Sequence, residues 1–112
     1  MDDLGRLELP VLAAVARLRG NAYGVTIMEE VSKRQGREVA YGNVHVTLDR
    51  LKHKGYLTTQ MGEPTAERGG RRKRFYFVSG KGEVALSAAW SRYETNLADL
   101  RQLASEPKGA RS

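Results

Sequence analysis

The chain has 112 residues, enough for one domain, and its 19 Lys and Arg against 13 Asp and Glu give a formal net charge of +6. This basic balance favours a polyanionic partner, either nucleic acid or an anionic membrane surface. The absence of cysteine excludes disulfides, thiolate nucleophiles and Cys-ligated zinc. The acidic start, MDDLGRLELP, is unlike a signal peptide, and no apolar run approaches the length of a membrane span, so we expect a cytoplasmic protein.

The first predicted helix ends near Arg19. Pro10 is comfortable only in a first helical turn, so the helix either begins near Leu7 or has a bent first turn. Its apolar face is formed by residues at spacings of three and four, namely Leu4, Leu7, Val11, Val15 and Leu18.

Two further helices are predicted before the middle of the chain. Asn21 is a residue type that caps helix starts, and Gly36 is suited to the C-terminal cap of the helix that follows. The stretch at residues 37–41 is short and partly β-like. A third helix is predicted over residues 43–54, where Gly55 ends it. Its inner face carries Val44, Leu48 and Leu51.

A β-hairpin and a last helix complete the predicted order. Two β-like runs, residues 56–61 and 73–79, flank a polar loop at residues 62–72. Ser79 can cap a helix over residues 81–104. Three helices followed by a hairpin are typical of the winged helix-turn-helix. We therefore predict a mostly α fold in three parts: a winged domain over residues 1–79, a C-terminal helix over residues 80–104, and a disordered tail at residues 105–112.

The third helix is the predicted reading element for double-stranded DNA. In a helix-turn-helix, the start of this helix meets base edges in the major groove. Asn pairs with adenine, Thr and Val contact thymine methyl groups, and Arg binds guanine or phosphate. The alternative is an ordinary solvated amphipathic helix. The candidate contacts are Asn43, His45, Val46, Thr47, Arg50 and Lys54.

The polar loop of the hairpin is strongly basic. Each Lys or Arg that meets a phosphate releases a counterion and adds affinity that does not depend on sequence. A flexible solvated loop is the alternative, but the position between two strands, after a candidate reading helix, favours DNA. The candidate contacts are Arg68, Arg71, Arg72, Lys73 and Arg74.

The last helix carries a heptad pattern, with apolar residues at spacings of 4, 3, 4, 3 and 4. A small winged domain has little surface to cover this stripe, so we predict a homodimer, with folding back on the same core as the alternative. Trp90 and Tyr93 either line a pocket for a flat effector or form plain core. The predicted interface residues are Leu86, Trp90, Tyr93, Leu97, Leu100 and Ala104.

No enzymatic, cofactor or metal chemistry is predicted. His45 and His53 are eight positions apart on the third helix, too far to share one ion, and no nucleophile–base set or phosphate-binding glycine motif is present. An RNA or membrane partner is disfavoured because the chain lacks a strongly basic amphipathic helix and aromatics arranged for single-strand stacking.

Three segments resemble the PadR family of bacterial transcription regulators in its short form: AYGVTIMEEV (residues 22–31), YGNVHVTLDRLKHKGYL (41–57) and ERGGRRKRFYFVSGKG (67–82). The resemblance implies a winged helix-turn-helix that dimerises through its C-terminal helix. It also implies repression of a promoter, often relieved by a small aromatic or lipophilic compound. Family members contact DNA with the start of the third helix, the Tyr of the AYG segment and the wing. Those roles map to Asn43, His45, Thr47, Tyr23 and residues 68–74.

One position departs from the family pattern, since members usually carry Tyr where this chain has His45. Imidazole donates more strongly to phosphate when protonated, so we predict that operator affinity rises as the pH falls toward about 6. The alternative to a DNA-binding repressor is a protein-interaction module in which the same fold lacks sequence-specific DNA binding.

Overall fold

The computed structural model describes residues 6–64 and 72–105. The predicted order of elements and the mostly helical fold class are confirmed. Two of the predicted contacts, Arg68 and Arg71, and the tail after residue 105 lie outside the described residues. The elements are α1 (Glu8–Leu18), α2 (Gly24–Gln35), α3 (Tyr41–His53), β1 (Leu57–Met61), β2 (Arg74–Val78) and α4 (Gly80–Ser105).

The predicted helix ends are confirmed by the backbone. Arg19, Gly36 and Gly55 follow the last turns of α1, α2 and α3 with positive φ angles of 44°, 70° and 84°, in the left-handed region that stops a helix. Pro10 is the third residue of α1 and therefore lies in its first turn, where its missing N–H costs no hydrogen bond. Ser79 caps α4, since its Oγ accepts a hydrogen bond from the Gly82 amide at 3.0 Å.

The structure differs from the sequence reasoning at three local points. Asn21 does not cap α2. Its amide donates to the Leu18 carbonyl, and Thr26 Oγ1 instead accepts from the Tyr23 amide at 3.0 Å at the start of the helix. No strand forms at residues 37–41. The helix α3 begins at Tyr41 rather than at residue 43, because the carbonyl of Ala40 already accepts from the amides one turn later, at positions 43 and 44.

The core lies where the three helices of the first half converge. Leu12 of α1, Ile27 of α2 and Leu51 of α3 are fully buried together. Burying a side chain of this size contributes about 2 kcal/mol. The hairpin covers one side of this core with Leu57 and Tyr76.

The hairpin is tied both to itself and to the helices. β1 and β2 pair antiparallel, with Leu57 opposite Val78 and Met61 opposite Arg74. The Tyr76 amide also donates to the Ala22 carbonyl at 2.8 Å. The hairpin of β1 and β2, called the wing below, is therefore hydrogen-bonded through β2 to the turn that precedes α2.

Two ionic contacts join α1 to its neighbours. Glu8 at the start of α1 accepts from Lys54 Nζ, just after α3, at 2.9 Å, and the Glu8 side chain is almost fully enclosed. Glu30 on α2 accepts from Arg17 at 2.7 Å and from Arg34 at 3.0 Å. Hydrogen bonds from these two guanidinium groups hold the pKa of Glu30 below its usual value. The contacts fix how α1 crosses the other two helices.

The first turns of α4 pack on the domain and the rest of the helix leaves it. Gly82 and Ala89 are buried, and Ala85 and Leu86 pack against the core. Beyond Ala89 every residue except Leu97 is exposed, and the longest dimension of the molecule is 68 Å. Within the described ranges, every helix is too short or too polar to span a lipid bilayer.

Gly82 is required where the start of α4 crosses the chain. A Cβ at this position would overlap the carbonyl oxygen of Tyr56 and lie 2.9 Å from Val78 Cγ1. Because the nearest atom belongs to the backbone, it cannot rotate away as the end of a side chain could. We expect Gly82→Ala to lower the free energy of unfolding by about 2–3 kcal/mol, measured by urea denaturation at fixed protein concentration.

Gly80→Ala is the matched control, since a Cβ at Gly80, in the same helical turn, meets nothing within 4 Å. This variant should unfold like the unmodified protein or slightly later, because alanine favours helix over glycine. Equal stability of the two variants would contradict the assigned close approach.

Candidate nucleic-acid interface

One open groove gathers five of the twelve predicted contact residues, namely Tyr23, His45, Arg72, Lys73 and Arg74. It lies between the start of α2, the exposed side of α3 and the hairpin, and has a volume of about 980 Å³. Three elements distant in sequence therefore present their side chains to one concave surface. The groove is lined by Tyr23, Gly24, Val25, Tyr41, His45, Leu48, Met61, Arg72, Lys73, Arg74 and Tyr76.

Three consecutive cations form the hairpin side of the groove. Arg72 Nε donates to the Gly62 carbonyl at 2.8 Å, which fixes this side chain against the opposite strand end. Lys73 Nζ lies 4.3 Å from the centre of the Tyr23 ring, a cation–π distance. Arg74 lies beside Tyr76, whose pKa is raised by burial although the guanidinium acts in the opposite direction. The phenol thus stays neutral, and the positive charge of the hairpin is not offset.

Tyr23 connects the start of α2 to the base of the wing. Its ring meets Phe75 edge to face at a centroid distance of 5.6 Å, and Lys73 lies over its face. Such an aromatic pair contributes about 1 kcal/mol beyond its buried area. The predicted contact at Tyr23 therefore also holds the wing against the helices.

The predicted contacts on α3 are placed unequally. Asn43, Val46 and Arg50 are exposed, as a DNA contact requires. Thr47 is only 5% exposed, and its hydroxyl donates to the Asn43 carbonyl at 2.7 Å. Thr47 therefore points into the fold. Lys54 is engaged by Glu8, as described above, which directs its ammonium toward α1.

His45 stands on the edge of α3 that faces the groove. Its ring stacks on Tyr41 at a centroid distance of 6.2 Å, and its Nε2 lies 3.7 Å from Asp49 Oδ2. Tyr41 was missed by the sequence reasoning, which placed it before the helix. Its ring packs against the backbone of Gly24, where a Cβ would lie 2.5 Å from the Tyr41 hydroxyl.

The predicted dimer residues fall on both parts of α4. Leu86 packs against the core of its own chain, and Leu97 is half-buried. Trp90, Tyr93 and Leu100 are 59%, 56% and 62% exposed. The rings of Trp90 and Tyr93 stack at a centroid distance of 5.8 Å. In the single chain this pair is open to solvent, so any enclosed pocket there needs a second chain.

No group of three or more metal-ligating side chains occurs among residues 6–64 and 72–105. The site is built from cations, aromatic rings and one exposed helix face. This combination suits a phosphate backbone and base edges.

Comparisons with known proteins agree with this geometry. Residues 11–88 match the family model described as "Transcriptional regulator PadR-like family". No curated protein matches the chain.

Solved structures of regulators from three bacteria have the same fold. A PadR-like regulator from Bacillus cereus has a TM-score of 0.71 at 17% identity, covering 90% of this chain and 93% of its own. A PadR-family regulator from Clostridium difficile has a TM-score of 0.68 at 19% identity, covering 90% of this chain and 100% of its own. A third, from Eggerthella lenta, has a TM-score of 0.67 at 18% identity, covering 90% of this chain and 89% of its own. The family match over most of the chain confirms the resemblance seen in the sequence: this protein belongs to the PadR-like family of transcriptional regulators, which are DNA-binding proteins and not enzymes.

Proposed function

We propose that the protein is a homodimeric repressor that binds a two-fold symmetric promoter site in double-stranded DNA. The observation that carries this proposal is the groove in which Tyr41 and His45, on one edge of α3, stand beside three consecutive cations of the hairpin. A helix beside such cations can enter the major groove while the cations contact the phosphates next to it.

Charge and exposure suggest which residues contact the bases and which contact the DNA backbone. The exposed α3 side chains read base edges, and the wing cations and Tyr23 contact the backbone. Thr47 and Lys54 act instead as structural residues within the fold. The proposed DNA contacts are Tyr23, Asn43, His45, Val46, Arg50, Arg72, Lys73 and Arg74, together with Arg68 and Arg71 on sequence grounds.

The proposed dimer rests on the face of α4 that leaves the domain. The stripe that packs on the core at Leu86 continues through Tyr93, Leu97 and Leu100, where Tyr93 and Leu100 are 56% and 62% exposed. A second copy of this chain would bury the stripe and pair two reading helices with two half-sites. Trp90 and Tyr93 would then stand near the dimer axis, where stacking on a small aromatic or lipophilic effector can relieve repression.

Promoter occupancy in the source cell tests this proposal. We expect cross-linked protein to map to a small number of promoter-proximal sites, and deletion of the gene to raise transcription from the adjacent genes. Occupied promoters whose transcription falls on deletion would instead indicate an activator. No preferred DNA sites, with loss of a co-purifying protein on substitution of the α4 stripe, would indicate the protein-interaction module.

The His45 prediction concerns pH. The imidazole faces Asp49 and Tyr41 on its own helix, and Arg72, Lys73 and Arg74 across the groove. A DNA phosphate brought to this groove favours the protonated imidazole, so binding takes up a proton and strengthens as the pH falls. We expect a roughly threefold to tenfold gain in operator affinity from pH 8 to pH 6, measured by fluorescence anisotropy at constant ionic strength.

The variant His45→Gln should flatten that response, whereas His53→Gln, at the end of α3, should retain it. A full pH response in His45→Gln would show that His45 is not the group that titrates.

A further inference from the structure

The centre of the exposed face of α3 has an unusual composition for a DNA-reading helix. Gly42, Val46, Asp49 and His53 follow at spacings of four, three and four, which places them on one stripe. This stripe lies opposite the buried Val44, Leu48 and Leu51, and all four of its members are exposed. The nearest cations stand at its flanks, at Arg50 and on the hairpin. The part of α3 that would lie deepest in the major groove is therefore apolar and acidic.

Asp49 is the one acidic residue in the sequence of α3. A carboxylate repels phosphate, so it weakens any binding mode in which this face lies against the backbone. Its His45 contact spans 3.7 Å through Oδ2 alone. Since the side chain is exposed, Asp49 retains acceptor capacity toward a ligand. Burial raises the pKa of Tyr76 on β2, and the charge of Asp49 acts in the same direction.

The major groove offers few partners to a carboxylate. Guanine presents two acceptors and thymine one acceptor and a methyl group, so both repel it. Adenine presents an amino donor beside the N7 acceptor, whereas the N4 amino group of cytosine has no acceptor beside it on the same base. A carboxylate at this position therefore favours cytosine.

We propose that Asp49 is a specificity-determining residue that accepts a hydrogen bond from the N4 amino group of a cytosine in each half-site and disfavours non-specific contact with the DNA backbone. This inference rests on the proposed DNA-binding role of α3. The alternative is that Asp49 is a solvated surface residue whose only contact is the one with His45 along the helix.

A selection from a random-sequence duplex library at fixed salt tests the inference with the full chain. We expect the unmodified protein to select cytosine at one position of each half-site. Asp49→Ala should reduce that preference about tenfold or more and should increase affinity for random duplex, because the repulsion is removed. Asp49→Asn should move the preference toward adenine, since an amide both donates and accepts. Glu29→Ala, which removes an exposed carboxylate from α2 outside the groove, is the control and should leave the cytosine preference unchanged.

A second measurement separates reading from folding. The selected cytosine is replaced by 2-pyrimidinone, which lacks the amino group. This replacement should lower the affinity of the unmodified protein for the DNA about tenfold and should lower the affinity of Asp49→Ala much less. Equal losses for both proteins, or an unchanged selected sequence in Asp49→Ala, would overturn the role of Asp49 while leaving the repressor proposal intact. If the unmodified protein selects no sequence, both proposals fail.

Discussion

Replacement of Leu97 and Leu100 by glutamate is expected to convert the protein to a monomer and to lower its affinity for a two-half-site operator by more than about 100-fold. Leu100 is 62% exposed in the single chain, and both side chains continue the stripe that packs on the core further back along α4. A glutamate on that stripe would have to be buried in the dimer interface without an opposite charge beside it, which is costly. Each monomer then binds its half-site alone and loses the gain from a linked second contact. The mass is read by analytical ultracentrifugation and the affinity by anisotropy.

Val84→Glu provides the matched control for the dimer. Val84 is 69% exposed on the same helix but lies on the opposite side from the stripe. The same change from apolar to acidic should there leave both the mass and the operator affinity unchanged. A dimeric mass for the Leu97/Leu100 double variant would place the interface elsewhere.

Neutralising the wing is expected to have the second large effect. With Arg72→Gln, Lys73→Gln and Arg74→Gln combined, a dimer loses six cations that face the groove. Each phosphate contact contributes about 0.9 to the slope of log affinity against log salt, so the slope should fall by up to about five. At physiological salt the affinity should fall by about 10²–10³-fold for every DNA sequence, because phosphate contacts do not read bases. Anisotropy titrations over a series of salt concentrations measure both quantities.

A second triple variant controls for net charge. Lys33→Gln, Arg92→Gln and Arg101→Gln remove the same number of charges from exposed sites on α2 and α4 outside the groove. This variant should keep nearly the whole salt slope. If both triple variants lose the same slope, the wing has no special role and binding follows overall charge.

The parts of the fold that depend on local sequence were predicted well. Gly36 and Gly55 end helices because the positive φ there is intrinsically easy for glycine. Ser79 caps α4 because its hydroxyl reaches the next amides whatever surrounds it. These residues act over three or four positions, so a pattern along the chain contains most of what decides them, although the cap of α2 fell to Thr26 rather than to Asn21.

What the sequence reasoning missed depends on distant contacts. Glu8 and Lys54 are 46 positions apart, and only the folded crossing of α1 and α3 brings them together. Thr47 stands at the border between the inner and outer faces of α3, so periodicity could not decide its direction. Its hydroxyl resolves this by bonding the carbonyl of Asn43, which permits its burial. The ring of Tyr41 packs against Gly24 of α2, a contact between two helices that no window along the chain contains.

The unbroken length of α4 has a mechanical consequence. The helix runs without interruption from the Ser79 cap, beside the hairpin, to Ser105, and 26 residues correspond to about 39 Å. Over that distance a change of about 5° in its direction displaces the far end by about 3 Å, close to the rise of one base pair. In the proposed dimer, a small tilt between the two copies of α4 would therefore move the reading helices by about one step along the DNA, so the register of both half-sites would depend on the angle at which the two helices cross.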